Sequence, residues 1–156
     1  MIIIENMGME TLKIENLLLD YNGTIATDGV VIAEIKDRIE AIKAQGVNVY
    51  CLTADSYGNA KKQCEPLGIE VKTFCSAEAA KEKAKIANGL SGDSMAVGNG
   101  FNDILMFDAA ALAVAVIGDE GCNAKLLSHA DIVVHNIFDA LDLLLKPKRV
   151  VALLRG

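Results

Sequence analysis

The chain has 156 residues, 52% of them hydrophobic, and a formal net charge of −6. That length fits one domain, 1–156, with enough apolar surface for a sizeable core, and the acidic balance argues against nucleic acid or an anionic membrane as the main partner, since both need clustered Lys and Arg. The most continuous apolar stretch, Ala109 to Ile117, is about half the length of a membrane-spanning helix. The N-terminus lacks a basic segment followed by a signal-type core, so the expected location is cytoplasmic.

Met1 to Glu5 has strand character, and residues 1–16 are expected to form an N-terminal strand extension that pairs at a sheet edge, within the chain or between subunits. Leu17 to Leu19 reads as a buried strand running into Asp20-Tyr21-Asn22-Gly23. Asn-Gly between apolar runs is the strongest short-range hairpin signal, while a strand ending at Asp20 would instead deliver a carboxylate to a ligand. Both readings stand at this point. Ile32 to Gln45 is expected to be a helix with Ile35, Ile39 and Ile42 on one face, closed by Gly46.

Val47 to Leu52 reads as a second strand ending at Thr53, Tyr57 to Pro66 as a short helix before Gly68, and Ile69 to Phe74 as a short edge strand. Ala77 to Leu90, rich in Ala, Glu and Lys, should be helical. Ser94 to Val97 is a strand that stops at Gly98. Ile104 to Ala110 (helix), Leu112 to Val116 (strand), Gly121 to Ser128 (helix) and Ile132 to Val134 (strand) follow, and Ile137 to Leu154 is a helix interrupted near Pro147. This alternation predicts an α/β fold, a doubly wound and mainly parallel sheet with helices on both faces.

The four cysteines, Cys51, Cys64, Cys75 and Cys122, have no C-x-x-C spacing and no histidine at zinc-ligand distance, so they read as structural thiols. His129 and His135 read as surface or helix-end residues. In a doubly wound sheet, ligands bind outside the carboxyl ends of the strands. Three predicted strands end there in polar loops: Asp20 to Thr24, Thr53 to Ser56, and Gly98 to Asp103. Singly, each loop is explained by a turn or a helix cap; together they form the layout of a ligand site. Lys83 and Lys81, on the preceding helix, are candidate cations for an anionic ligand.

"LLLDYNGT", "VYCLTAD" and "AVGNGFNDILMFDAA", with "KAKIANGL" ahead of the last, resemble in order and spacing the motifs of the haloacid dehalogenase superfamily of phosphohydrolases. Within it the chain is similar to the small soluble proteins that look like the phosphorylation domain of P-type ATPases. The resemblance implies a phosphatase that uses Mg2+ and works through an aspartyl-phosphate at Asp20. It implies Asn22 facing the metal through its carbonyl, Thr53 holding a phosphoryl oxygen, and Lys83 neutralising nucleophile and phosphate, with Lys81 as its alternative. Gly23, Thr53, Ala54 and Lys83 would surround the phosphate. Asp20, Asn22, Asn99 and Asp103 would hold the metal, and Asn102 would orient its neighbours.

Two asparagines depart from that pattern. Asn22 stands where active relatives carry an acid–base residue, and an amide cannot shuttle a proton, so slow dephosphorylation is expected. Asn99 replaces an anionic metal ligand with a neutral one, which weakens metal attraction. The short segments after Thr24 and Thr53 leave no room for a cap domain. An open site suits a phosphorylated small molecule, closed over by a neighbouring subunit in a homo-oligomer, or a phosphoprotein. The alternative function is a catalytically attenuated phosphate-binding or regulatory module.

Overall fold

The computed structural model describes residues 1–5, 10–55 and 59–156. Its elements are β1 (Ile2–Ile4), β2 (Leu12–Asp20), β3 (Ala26–Thr27), β4 (Val30–Val31), α1 (Lys36–Ala44), β5 (Asn48–Thr53), α2 (Asn59–Cys64), β6 (Glu70–Thr73), α3 (Ala79–Gly89), β7 (Asp93–Gly98), α4 (Ile104–Ala109), β8 (Leu112–Val116), β9 (Ile132–Val134), α5 (Ile137–Leu145) and α6 (Lys148–Leu154). The main sheet runs β6-β5-β2-β7-β8-β9 with every neighbouring pair parallel. From β2 the chain moves outward through β5 to β6, then returns to lay β7 on the other side of β2 and continues to β9. The loops after β2, β5 and β7 therefore part at the reversal, where a crevice opens.

The Leu17-Leu18-Leu19 run has no polar alternation because both sheet faces are covered. Leu17 and Leu19 share one core with Ile39 and Ile42 of α1 and Leu141 and Leu144 of α5. Leu18 points to the opposite core, with Leu52, Ala96 and Ala113 and with Met106 and Phe107 of α4. This is the mainly parallel α/β sheet that the alternation predicts.

Several boundaries differ from the sequence reading. β2 begins at Leu12, five residues earlier than the apolar run, because Leu12 and Ile14 alternate with polar residues. That extension receives β1 antiparallel, with Ile2 opposite Ile14 and Ile4 opposite Leu12, so the N-terminal strand pairs within the chain. The helix expected from Ile32 starts as a 3-10 turn over Ala33–Ile35 and becomes α-helical only at Lys36. The helix expected over Gly121 to Ser128 is a loop ending in the 3-10 turn Leu126–His129. Gly121 has φ +79°, and the Asn123 amide leaves the local chain to donate to the Asn99 carbonyl at 2.8 Å. Tyr57, the expected start of the second helix, lies outside the described residues, and α2 ends at Cys64, giving way to a 3-10 turn, Glu65–Leu67, that contains Pro66. Proline does interrupt the last helix, with Pro147 opening α6.

Cys51 and Cys64 are buried in the core, Cys75 is exposed and Cys122 half-buried. His129 pairs at the surface with Asp108 at 2.7 Å. Among the described residues no helix is long and apolar enough to cross a membrane.

One ion cluster ties α1 to α5 and α6. Asp142 accepts from Arg38 at 2.9 Å and Lys146 at 2.8 Å, with Arg149 at 3.6 Å. The hydrogen bond from Lys146, followed by that from Arg38, outweighs burial and holds the Asp142 carboxyl below the usual aspartate range. Its stabilisation is therefore full above about pH 4, the ordinary aspartate value, and is lost as pH falls further. Asp142→Asn is expected to cost about 1–3 kcal/mol at neutral pH, the scale of hydrogen bonds to a charged group. The gap from wild type should narrow on acidification when urea midpoints are compared across pH.

Candidate active site

The ends of β2, β5 and β7 enclose a cleft of about 450 Å³ lined by Asp20, Asn22, Thr53, Ala54, Asn99, Gly100, Phe101 and Asn102. A larger groove of about 760 Å³ between α2 and β6 is lined by Lys61, Lys62, Glu65, Ile69, Glu70 and Val71. It contains no residue of the three polar loops, so size does not identify the site.

Behind the cleft lies a buried charge cluster. Lys83 of α3 is fully buried, and its Nζ stands 2.5 Å from Asp20 Oδ1, 2.6 Å from Asp103 Oδ1 and 3.4 Å from Asn102 Oδ1. Burial works against the ammonium, but Asp20 and Asp103 outweigh it and hold Lys83 above the ordinary lysine value. Burial raises Asp103 to about 6, Asp20 adding to the rise and Lys83 opposing it. The other Asp103 oxygen accepts the amides of Gly100 at 2.9 Å and Asn99 at 3.1 Å, which fixes the loop after β7. Gly98 is required beneath it, since a Cβ there would meet Asp103 Oδ2 at 2.4 Å.

Lys81 takes no part. Its side chain is 75% exposed and pairs with Glu78 at 3.4 Å, two positions round the helix from the buried lysine. The structure thus brings together Asp20, Lys83, Asp103 and Asn102, and places Thr53, Ala54, Asn22 and Asn99 together in the cleft wall. Gly23 is drawn in differently. Its amide donates to the Ala26 carbonyl at 2.8 Å, and at φ +79° a Cβ would stand 2.1 Å from Asn99 Nδ2. Its part is a close approach to Asn99. Asp55 accepts the Ala60 amide in the first turn of α2 at 2.7 Å; Ser56 lies outside the described residues.

Thr24 was not among the candidate residues, yet it joins the cluster. Its hydroxyl lies 3.3 Å from both Asp20 Oδ2 and Asn99 Oδ1 and is buried. The signal was present in "DYNGT", whose last residue is this threonine. Asn99 is held by contacts without local sequence signal: its Nδ2 donates to the Gly121 carbonyl at 3.2 Å.

The hairpin and the site coexist. The turn with two positive φ values is Asp28-Gly29, at +50° and +78°, between β3 and β4; Asn22-Gly23 instead begins a tight turn in which the Ile25 and Ala26 amides donate to the Tyr21 carbonyl. The hairpin is anchored on both flanks. Tyr21 Oη and Gln63 Nε2 both donate to the Gly29 carbonyl at 2.9 Å, Gln63 Oε1 accepts the Val31 amide at 2.6 Å, and Glu120 accepts the Asp28 amide at 3.1 Å. Burial, with smaller effects of Cys64 and Asp55, pushes the Tyr21 phenol up to about 12, so it remains a donor.

Two carboxylates against one ammonium leave the cluster with a net negative charge, and the remaining donors of the cleft are amide and hydroxyl oxygens. An all-oxygen set with one or two carboxylates fits magnesium, which keeps several waters, better than a soft metal. Among the described residues no three His, Cys, Asp or Glu side chains converge as a cation cage.

The family model of haloacid dehalogenase-like hydrolases matches residues 8–111. The chain belongs to this family. As a haloacid dehalogenase-like hydrolase it is 30% identical over 150 residues to the soluble P-type ATPase-like phosphatase of Methanocaldococcus jannaschii, covering 90% of this chain and 55% of that protein. It is 52% identical over 58 residues to an uncharacterized protein of the same organism, 37% of this chain and 62% of that one. The chain spans little more than half the length of these curated relatives. The fold is shared with 3-deoxy-D-manno-octulosonate 8-phosphate phosphatase from Moraxella catarrhalis, solved with magnesium, phosphate and KDO, at TM-score 0.72 and 15% identity over 89% of this chain and 90% of that one. A zinc-transporting PIB-type ATPase in its E2.Pi state matches at TM-score 0.65 and 26% identity, over 79% of this chain and 20% of that one. Among the described residues of this haloacid dehalogenase-like hydrolase, no inserted cap covers the cleft: the two-stranded β3–β4 hairpin is all that separates β2 from the helical turn before α1.

Proposed function

We propose that this protein is a magnesium-dependent phosphohydrolase that works through an aspartyl-phosphate at Asp20 and hydrolyses that intermediate slowly. The observation that carries the reading is the fully buried Lys83 ammonium shared by Asp20 and Asp103 behind an oxygen-lined cleft. Burying three charges is costly, and the cluster supplies what phosphoryl transfer needs, an in-line carboxylate and a fixed cation. Membership of a hydrolase family and the likeness to a protein named as a phosphatase support it.

In this reading an Asp20 carboxylate oxygen attacks phosphorus, the bond from phosphorus to the ester oxygen breaks, and the leaving alkoxide takes its proton from water. Lys83 balances charge on Asp20, and the Thr53 hydroxyl donates to a phosphoryl oxygen beside Ala54. Asp20, Asp103, the Asn22 carbonyl and the Asn99 amide oxygen would hold magnesium, which when bound would supply electrostatic stabilisation of the phosphoryl oxygens. Water then attacks phosphorus, releasing phosphate and restoring Asp20. Asn22 has no proton to give the leaving group and cannot take one from this water, so the second step is slow. The substrate is a phosphorylated small molecule or phosphoprotein that reaches the cleft without a cap, and the cytoplasm is the compartment in which it acts.

Incubation with radiolabelled acetyl phosphate and magnesium, followed by acid quench and peptide mapping, tests the reading. Label is expected on the peptide bearing Asp20, requiring magnesium and absent from Asp20→Asn. Phosphate bound without covalent label would instead favour an attenuated phosphate-binding or regulatory module, the reading to which Asn22 and Asn99 lend weight.

A further inference from the structure

We propose that the organic part of the substrate is a planar aromatic group that stacks on Phe101, an inference that rests on the phosphohydrolase reading. Phe101 opens the turn Phe101–Asp103, so the loop that aims Asp103 at Lys83 also carries this ring. Its neighbours are committed to the site: Asn102 meets Lys83, and the Gly100 amide donates to Asp103. Phe101 itself is 60% exposed on the cleft wall. Among the described residues every other Phe or Tyr ring is buried or half-buried. Among the described residues that line the cleft, Phe101 is also the one large apolar side chain.

The ring is not adrift on a loose loop. Asn99 and Gly100 amides are fixed on Asp103, and Lys125 Nζ stands over the ring, 5.8 Å from its centroid. Lys125 is brought there by the loop after β8, where the Asn123 amide donates to the Asn99 carbonyl and Asn123 Oδ1 accepts the Lys125 amide at 3.0 Å. A positioned ring beside a cation, a few ångströms along the chain from the phosphate-facing residues, suits an aryl phosphate. The phosphoryl group enters the polar half of the cleft and the ring meets Phe101, the one aromatic side chain that borders it among the described residues. Offset or edge-to-face contact between the two rings would add affinity beyond simple area burial.

Equilibrium binding of phenyl-, cyclohexyl- and methylphosphonate with magnesium, measured by calorimetry, tests the assignment without depending on leaving-group reactivity. Phenylphosphonate is expected to bind about three- to tenfold more tightly than cyclohexylphosphonate, the scale of one aromatic pair. Phe101→Ala should erase that difference and Phe101→Trp should keep it. Equal affinity for the phenyl and cyclohexyl compounds in wild type, or a difference that survives in Phe101→Ala, overturns the proposal. Failure of all three to bind also overturns it, and labelling of Asp20 by acetyl phosphate then says whether the phosphohydrolase reading falls too.

Discussion

Asn22→Asp is expected to raise the rate of phosphate release by about 10²–10⁴-fold, the usual contribution of a positioned general acid–base group. The side chain at this position is exposed on the cleft wall two residues after Asp20. The Tyr21 carbonyl, accepting the Ile25 and Ala26 amides at 3.1 and 2.9 Å, fixes the turn from which it projects. In the proposed mechanism a carboxylate there would take on both tasks that the amide lacks, protonating the leaving oxygen and deprotonating the attacking water. The gain should appear mainly in the decay of labelled Asp20 after a chase, with a smaller rise in the rate of labelling by acetyl phosphate, whose leaving group needs little protonation. If decay stays within about threefold of wild type, far below the range for proton transfer, another step limits turnover. Asn22 and Asn99 both precede glycine, so intact mass must accompany every assay: a deamidated fraction of wild type would imitate the variant.

Lys83→Met is expected to lower folding stability in metal-free buffer by about 3–5 kcal/mol, the cost of stripping one partner from a buried ion pair. The magnitude follows from position. Lys83 and Asp103 have fully buried side chains and Asp20 is nearly so, so removing the ammonium leaves two carboxylates facing each other with little water between them. Methionine fills most of the lysine volume, which keeps cavity cost small. Adding Asp103→Asn should return part of the loss, because one of the two uncompensated charges disappears and the amide can still accept the Gly100 and Asn99 N–H groups. Urea unfolding of the wild type and of the single and double variants measures this coupling. Additive losses would mean that Lys83 stabilises the fold through packing alone.

The parts of this molecule that were legible in the chain are those whose cause is local. Strand ends at Asp20, Thr53 and Gly98 follow from apolar runs too long to be left in water, and their convergence follows from the rule for doubly wound sheets. The motif resemblance put Lys83 ahead of Lys81 with the helix register open, and the structure turns Lys83 to Asp20 while Lys81 is exposed. The helix expected from Gly121 failed because the segment's best hydrogen-bond partner is the Asn99 carbonyl, more than twenty residues away, which no local pattern reveals. The early start of β2 was hidden by Lys13 and Glu15, which alternate outward while Leu12 and Ile14 pair with β1. Gln63 and Glu120 carry no local sequence signal, and only their distances to the hairpin distinguish them.

That hairpin is gripped at its tip from three separate segments, by Tyr21, by Gln63 and by Glu120. A loop so tethered makes a poor door. Its opening would require several hydrogen bonds to break together, so the hairpin stays where the fold puts it. In the proposed mechanism no hairpin movement then times turnover, and the lifetime of the phosphoryl group on Asp20 does. On that proposal the molecule would behave less like a gate than like a timer, holding a phosphoryl group for an interval written into the side chain at position 22.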